Sequence, residues 1–363
     1  MIDRRILREI DGLSLGLVFS LSLIGLLFIY SSSYYFSSSY YSKQFLWLLI
    51  SAGALVIVLM IDYQHLLTFS FPIYVVAIVT LLLTLAFSRY IAGMKGWLVV
   101  SFFRFQPAEL TKVAIILILA QFFSRHRQDR LSQQIILGSC GLVALPLILV
   151  LFQPDLGTAV CFLPLLLASL FLAGLSRKAM VWVLILTLLV GIVSWHFYLK
   201  DYQKRRLITV FFPGQDRLGF GYQLLQSKIA IGSGGFLGKG FKKGTQSQLR
   251  FIPARHTDFI FSVISEEFGL VGSLTVISLF LGLIWRLLRM VETARDRSGK
   301  YIIYMVACLL AFETIINIAM VIGFFPVVGI PLPFVSYGGS SLLTHFLAVG
   351  LAVNVRMRRF ANV

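Results

Sequence analysis

Apolar segments long enough to cross a membrane recur along the whole of this 363-residue chain. Hydrophobic residues make up 58% of the sequence and charged residues 13%, whereas a soluble domain is close to half apolar and a quarter charged. The core of a bilayer has no water to hydrogen-bond the backbone N–H and C=O groups, so such segments form helices that satisfy these groups internally. The sequence therefore predicts an all-α polytopic membrane protein, and its net charge of +17 does not indicate nucleic-acid binding.

Ten transmembrane helices are predicted, within a single membrane domain that covers residues 1–363. Their approximate bounds are 12–31, 45–61, 68–87, 108–124, 134–152, 157–174, 180–198, 262–285, 301–325 and 339–355. An even number puts both termini on one side, and the arginines near both ends indicate the cytoplasm. Residues 199–257 then form a long extracytoplasmic loop between helices 7 and 8, whose positive charge is tolerated because long loops translocate regardless of charge.

One carboxylate, Asp258, lies where this loop meets the eighth span. Between Lys200 and Arg255 the chain has 11 lysines and arginines but only two acids. Asp258 follows within residues 255–261 (RHTDFIF). An ionised group at a membrane edge is costly and is usually functional, and the preceding cations indicate an anionic ligand. His256 is either structural or a group that keeps Asp258 ionised or senses substrate.

Three further places hold charges near or inside predicted spans. Glu109 and Lys112 lie three residues apart and share a helix face, so they form either an internal ion pair or a cavity-lining pair that contacts a ligand. Asp155 is predicted to cap the sixth span, and a pair with Lys112 is the alternative. Glu313 lies mid-span and must be protonated or paired; a structural partner and a proton relay both fit.

Two glycine-bearing segments could contact an anion. Residues 329–341 precede the last span, offer the hydroxyls of Ser336, Tyr337 and Ser340, and contain prolines and glycines that forbid a regular helix. Such backbone at a membrane edge is tolerated where it lines a cavity, and amides at a helix N-terminus can hold an anion. Residues 232–244, with Lys239, either cradle phosphate through backbone amides or touch lipid headgroups.

Four runs of sequence together resemble the shape, elongation, division and sporulation (SEDS) family, and within it the members that act in cell elongation. They are residues 105–112 (FQPAELTK), 153–158 (QPDLGT), 255–261 (RHTDFIF) and 331–341 (PLPFVSYGGSS). The resemblance runs in order along nearly the whole chain. It implies a peptidoglycan glycosyltransferase that polymerises lipid II, a disaccharide-pentapeptide on undecaprenyl diphosphate, at the outer face of the bacterial inner membrane. It also implies a class B penicillin-binding protein as partner in a cell-elongation complex.

The family's required aspartate matches Asp258, which we interpret as the general base for a sugar hydroxyl, a role typically worth about 10²–10⁴-fold in rate. Arg255 and His256 are expected to lower the pKa of Asp258 and keep it ionised, and cations stabilise the leaving diphosphate. No cofactor is firmly implied, and a divalent cation stays an open alternative. The other predicted substrate contacts are Glu109, Lys112, Asp155, Lys239, Ser336, Tyr337 and Ser340.

Two other functions fit parts of the sequence. A flippase for lipid-linked precursors also needs internal charges and kinked helices, but a transporter's site tends to lie near the membrane midplane, whereas these motifs gather at one face. A scaffold that only recruits a penicillin-binding protein leaves Asp258 and the loop cations without a purpose. The three cysteines, Cys140, Cys161 and Cys308, fall inside predicted spans, where free thiols are expected.

Overall fold

A bundle of long apolar helices forms the computed structural model of the protein. The structure describes residues 9–34, 39–88, 95–100, 103–126, 132–176 and 219–359, together with Lys178, Val181 and Ile185. The predicted seventh span, 180–198, lies outside the described residues apart from Val181 and Ile185, and so does the first part of the predicted loop, 199–218.

The described residues contain thirteen helices and one β-hairpin. In chain order the elements are α1 (Gly12–Ser33), α2 (Ser39–Met60), α3 (Tyr63–Thr68), α4 (Ser70–Phe87), β1 (Leu98–Val100), β2 (Phe103–Phe105), α5 (Pro107–Arg125), α6 (Gln133–Phe152), α7 (Leu156–Val160), α8 (Phe162–Leu172), α9 (Phe220–Gly234), α10 (Thr245–Gln248), α11 (Ile260–Thr293), α12 (Arg297–Ile322) and α13 (Gly339–Met357). The two strands pair antiparallel, with Leu98 opposite Phe105.

Eight of these helices are long and apolar enough to cross a membrane. The segment Leu156–Leu172 is a shorter apolar stretch, which divides into α7 and α8 on either side of Cys161. Within the described part of the chain, helices therefore coincide with nine of the predicted spans. The helical membrane fold is confirmed in this respect.

The centre of the bundle consists of α5 and α13. In their most apolar windows, 78% and 83% of the residues are buried, against 28% in α2 and 22% in α4. The centrally placed α13 packs on α2, α5 and α12, while α11 packs on α1, α9 and α12. Apolar side chains of α2 and α4 that lack protein neighbours face outward, as a lipid-facing surface requires.

Polar contacts define two opposite ends of the bundle. At one end Asp11, which precedes α1, forms ion pairs with Arg286 of α11 (2.8 Å) and with Arg356 near the end of α13. Tyr63 donates a hydrogen bond to Asp296 there (2.7 Å). The first helix thus begins, and the last helix ends, at this Asp11 end. Asp258 lies at the other end, which we name the Asp258 end.

Part of the region predicted as a loop is helical. The helix α9 buries Leu224, Ser227 and Ala230, which are three residues apart and so lie on one face. This face packs on α11 and α12, and Ser227 donates a hydrogen bond to the Val321 carbonyl (2.6 Å). A helix was not expected here because glycines flank this short segment and only a narrow apolar stripe marks it.

The glycine-rich segment 232–244 supplies hydrogen-bond partners at a break in α11. Gly269 interrupts that helix with a φ of 61°, which frees backbone groups on both sides of the break. The segment satisfies them: the Leu270 amide donates to the Gly235 carbonyl (2.9 Å), and the Lys239 amide donates to the Glu266 carbonyl (3.0 Å). A Cβ on Gly269 would lie 2.5 Å from the Gly238 nitrogen. Glycine is therefore required at Gly269 by both its φ angle and this close approach.

Candidate active site

Three successive carbonyl groups fix the backbone around Asp258. The carbonyls of His256, Thr257 and Asp258 accept hydrogen bonds from the Tyr337 amide (2.8 Å), the Ser336 hydroxyl (2.7 Å) and the Asn317 side-chain amide (3.0 Å), respectively. Asn317 belongs to α12, and the other two donors belong to the loop that precedes α13. The irregular segment 329–341 therefore packs against the turn that carries Asp258 and fixes its backbone by hydrogen bonds.

The Asp258 side chain is partly buried and lies beside Gly329. A Cβ built on Gly329, whose φ is 77°, would lie 3.7 Å from Oδ2 of Asp258. The carboxylate is therefore positioned between the end of α12 and the loop that leads to α13. A carboxylate in this location can take a proton from a hydroxyl group presented at the Asp258 end.

A cavity of about 420 Å³ lies next to this turn. Its lining consists of Ser32, Ser33, Tyr40, Arg250, Pro253, Arg255 and His256. Arg255 is 7% exposed, and its Nε donates a hydrogen bond to the Ser32 carbonyl at the end of α1 (2.8 Å). We name this space the arginine cavity. Two of the residues predicted to contact substrate, Arg255 and His256, lie in its wall.

The ring of His256 packs against Tyr40, with the ring centroids 4.4 Å apart, and against Tyr337. Burial, with the charge of Arg255 adding to it, lowers the pKa of His256 to about 4. The imidazole is therefore neutral at pH 7. A neutral His256 adds no positive charge beside Asp258, because desolvation outweighs any gain from protonation. Its expected effect on the pKa of Asp258 therefore stays a prediction that cannot rest on imidazolium charge. Burial also raises the pKa of Tyr337, so its phenol stays protonated.

Four ionisable side chains form what we name the Lys112 cluster: Glu109, Lys112, Glu313 and His345. The Lys112 ammonium contacts both oxygens of Glu109 (2.8 and 2.9 Å) and Oε1 of Glu313 (2.7 Å). The other oxygen of Glu313 contacts Nε2 of His345. All four side chains are at most 4% exposed. Of the two alternatives for Glu109 and Lys112, the internal ion pair is present, and Glu313 has a structural partner.

The hydrogen-bond geometry of His345 determines how many protons the Lys112 cluster holds. Nδ1 of His345 lies 2.6 Å from the Ser341 carbonyl, which can only accept, so Nδ1 carries a hydrogen. Nε2 and the Glu313 carboxyl must then share one further proton. Whichever of the two groups holds it, the four side chains sum to zero net charge. The Lys112 cluster is therefore a neutral unit joining α5, α12 and α13.

Asp155 caps α7, as predicted. Its Oδ1 accepts the Thr158 amide (3.1 Å), and its Oδ2 accepts the side-chain amide of Gln106 (2.6 Å). The Gln106 backbone amide in turn donates to the Ser340 hydroxyl (2.9 Å). Lys112, which was the alternative partner of Asp155, pairs with Glu109 and Glu313 instead. Asp155 and Ser340 thus tie α5 to α7 and α13 at the Asp258 end.

Lys239 lies in a separate contact. Its ammonium pairs with Glu266 of α11 (2.9 Å) and donates to the Thr245 hydroxyl (2.8 Å). Glu266 also accepts the backbone amides of Gln246 (2.9 Å) and Ser247 (3.1 Å). The hypothesis that backbone amides of 232–244 cradle a phosphate is wrong for Lys239 and its neighbours, because those amides already bond to the broken helix. The Gly338 amide is likewise taken, by Gln44 (3.2 Å).

Several residues around the site were not singled out from the sequence. His345 carried a signal, an ionisable group inside an apolar span, four residues after Ser341. Arg250 carried only the general signal of the cation-rich loop, and Asn317 and Gln44 carried none, because their roles depend on contacts with distant segments. Among the described residues, no group of three or more His, Cys, Asp or Glu side chains forms a metal-ligand set, so no residue is assigned to a divalent cation.

The family model described as "Cell cycle protein", for FtsW, RodA and SpoVE, matches residues 12–360. The chain belongs to this family. It is the SEDS family that the four sequence runs predicted. SEDS relatives include the peptidoglycan glycosyltransferase MrdB of Escherichia coli K12, which is 40% identical over 79% of this chain and 77% of its own length. RodA of Treponema pallidum is 32% identical, over 97% of this chain and 98% of the relative.

Solved structures of SEDS proteins have the same fold. A chain in a peptidoglycan synthase complex, described as coordinating polymerization and crosslinking, superposes with a TM-score of 0.84 at 27% identity and covers 97% of this chain and 99% of that one. The crystal structure of Thermus thermophilus RodA superposes with a TM-score of 0.74 at 25% identity, over 97% and 98%. The RodA-like architecture of this chain follows from both.

Proposed function

We propose that this SEDS protein is a peptidoglycan glycosyltransferase that polymerises lipid II during cell elongation, with Asp258 as the general base. The observation that carries the proposal is the built environment of Asp258. Three consecutive carbonyls are fixed around it, and a cavity with two arginines lies beside it. Relatives named peptidoglycan glycosyltransferase support the same activity.

The proposed step is a displacement at a sugar C1. A hydroxyl of the acceptor sugar attacks C1 of the donor, the new C1–O bond forms, and the bond from C1 to the diphosphate oxygen breaks. Asp258 takes the proton of the attacking hydroxyl, and the polyprenyl diphosphate leaves with the bonding electrons. Positive charge beside the diphosphate favours the transition state over the ground state, because negative charge grows on the leaving group.

The remaining predicted contacts enter the proposal with different roles. Arg255 and His256 line the arginine cavity, and Tyr337 packs on the His256 ring beside it. We propose these three as the groups near Asp258 that touch substrate. Six others bond to protein groups and are proposed to keep the Asp258 end in shape: Glu109, Lys112, Asp155, Lys239, Ser336 and Ser340.

The location and partners are part of the same proposal. The chain is a multi-pass membrane protein, and we infer that it lies in the bacterial inner membrane with the Asp258 end on the extracytoplasmic side. That orientation is supported by the arginines near the Asp11 end, which the positive-inside rule assigns to the cytoplasm. A class B penicillin-binding protein is the proposed partner, in line with the synthase complex to which the fold is similar.

Polymerisation by purified protein tests the function. Wild type and Asp258→Asn are supplied with lipid II in detergent, and glycan strands are measured by gel electrophoresis. The substitution keeps the size of the side chain but removes the base, so strand yield should fall by at least about 100-fold. Near-normal yield from the variant would refute the role of Asp258. Lipid movement without strands in wild type would instead favour a flippase.

Asp62→Asn is the matched control. Asp62 caps α3 at the Asp11 end by accepting the Gln64 amide (2.9 Å), and asparagine caps equally well. This variant should polymerise lipid II as wild type does. Both variants should unfold at the wild-type temperature, which separates loss of the base from loss of the fold.

A further inference from the structure

The arginine cavity contains a buried cation, Arg255, that has no acidic partner among the residues the structure describes. Within the described chain, the Arg255 guanidinium makes a single hydrogen bond, from Nε to the Ser32 carbonyl, and forms no ion pair. A guanidinium offers five N–H donors, so most of its donor capacity is unused by the protein. A buried cation with a single neutral acceptor is costly unless an anion completes the site.

A second guanidinium faces the same space. Arg250 lines the cavity with Arg255, and its positive charge, after burial, is the main influence that lowers the pKa of Arg255. Arg250 also has a φ of 62°, a backbone conformation that costs a residue with a side chain about 1–2 kcal/mol. Strain of this kind clusters at ligand sites. Two like charges thus lie close together in the wall of one cavity, where their repulsion would be relieved by a bound anion.

The rest of the lining suits a phosphate-sized anion. Ser32, Ser33 and Tyr40 supply hydroxyls, and the neutral His256 ring forms one wall. Two phosphates linked together can bind one guanidinium each, in the bidentate geometry that arginine favours. With a volume of about 420 Å³, the cavity has room for a diphosphate.

We propose that the arginine cavity binds the diphosphate of the glycosyl donor, with Arg250 and Arg255 as the two anion-binding groups. This assignment rests on the proposed function. It identifies the donor side because His256 lines the cavity and Asp258 is two residues further on, so their Cα atoms are at most about 7 Å apart. The donor's diphosphate is attached to the reacting C1, whereas the acceptor's diphosphate is separated from the attacking hydroxyl by sugar.

Binding of undecaprenyl diphosphate, without any turnover, tests the site directly. Wild type, Arg250→Gln, Arg250→Lys and Lys243→Gln are placed in phosphatidylcholine nanodiscs and titrated with the probe. Arg250 is exposed, so its removal should leave the fold intact. We expect Arg250→Gln to weaken binding by about tenfold or more, as loss of a charge-assisted hydrogen bond predicts, and Arg250→Lys to weaken it less.

Lys243→Gln is the matched control, because Lys243 is an exposed cation of the same region but does not line the cavity. It should change binding by less than about twofold. Equal losses in Arg250→Gln and Lys243→Gln would overturn the proposal, since they would indicate general attraction by positive charge.

Phospholipid is a second source of phosphate, so the titration is repeated in nanodiscs that contain phosphatidylglycerol. Unchanged affinity of wild type for undecaprenyl diphosphate supports a substrate site. If phosphatidylglycerol displaces the probe from wild type but not from Arg250→Gln, the cavity is a headgroup site and the proposal fails. Binding that depends on Arg250 in a protein that makes no glycan strands would instead count against the proposed function alone. Strand synthesis with normal binding in Arg250→Gln would count against this site alone.

Discussion

Lys112 and Arg255 are both cations with more than nine-tenths of their surface buried, yet their surroundings differ. Lys112 contacts two carboxylates, and the second of these shares a proton with His345, so the charges around it cancel within the protein. Arg255 has one backbone carbonyl and a second arginine nearby. The difference separates two uses of buried charge. A cluster whose charges sum to zero contributes to the fold, whereas buried positive charge next to a cavity indicates a site for an anionic ligand.

Replacing Lys112 should have the largest effect on stability. Lys112→Met leaves two carboxylates in a buried site without their shared cation, which typically costs about 3–5 kcal/mol. Thermal unfolding in detergent measures the loss. Adding Glu109→Gln should recover part of it, because one unpaired charge is then removed. If Lys112→Met unfolds at the wild-type temperature, the cluster is not a structural unit.

The cap at Asp155 should have an intermediate effect. Asp155→Ala removes the acceptor of the Thr158 amide and the acceptor of Gln106, so we expect a loss of about 1–2 kcal/mol. Asp155→Asn retains a capping oxygen and should lose less than Asp155→Ala. The same unfolding assay applies. An alanine variant as unstable as Lys112→Met would mean that Asp155 belongs to the Lys112 cluster and not merely to its periphery.

Arg255→Met should cost the fold little while it weakens substrate use. The variant loses one hydrogen bond but also removes the desolvation of a cation that has no carboxylate partner in the described part of the chain. The net change in unfolding free energy should therefore be about 1 kcal/mol or less. KM for lipid II should rise. A stability loss as large as that of Lys112→Met would erase the distinction between the two cations.

The smallest effect at neutral pH is expected for His256→Gln. With a pKa of about 4 in the folded protein, against about 6.5 for an unperturbed histidine, His256 binds a proton less readily when the chain is folded. Stability from this group is therefore full above pH 6.5 and is lost as the pH falls toward 4.

Melting temperatures measured from pH 8 to pH 4 check this. Wild type and His256→Gln should share their profile above pH 6.5, and the variant should lose less stability below it. Identical slopes down to pH 4 would show that His256 is charged in the folded protein or is not buried by the fold.

The sequence was sufficient for features that depend on local composition. Apolar length predicted nine helical segments of the described chain, eight of which are long enough to cross a membrane. An acid after a basic segment drew attention to Asp258, whose catalytic role stays a prediction. The neutral state of His256 could not be predicted, because burial by Tyr40 and Tyr337 decides it. The pairing of His345 with Glu313 joins residues on different helices, and sequence spacing gives no access to that contact. For the same reason, the sequence could not show that the backbone amides of Lys239 and Gly240 donate to carbonyls of α11 and so are not available to an anion.

The break at Gly269 has a consequence for chimeras between SEDS proteins. Residues 235–247 form the hydrogen bonds that α11 lacks at the break, and they also bind the Glu266 side chain. This stretch and the first turns of α11 therefore have to be transferred together. Exchanging either stretch alone would place the broken helix of one protein against the glycine-rich segment of another. A graft that runs from before α9 to beyond Val271 carries both halves, together with Arg250, Arg255 and Asp258, in their native register.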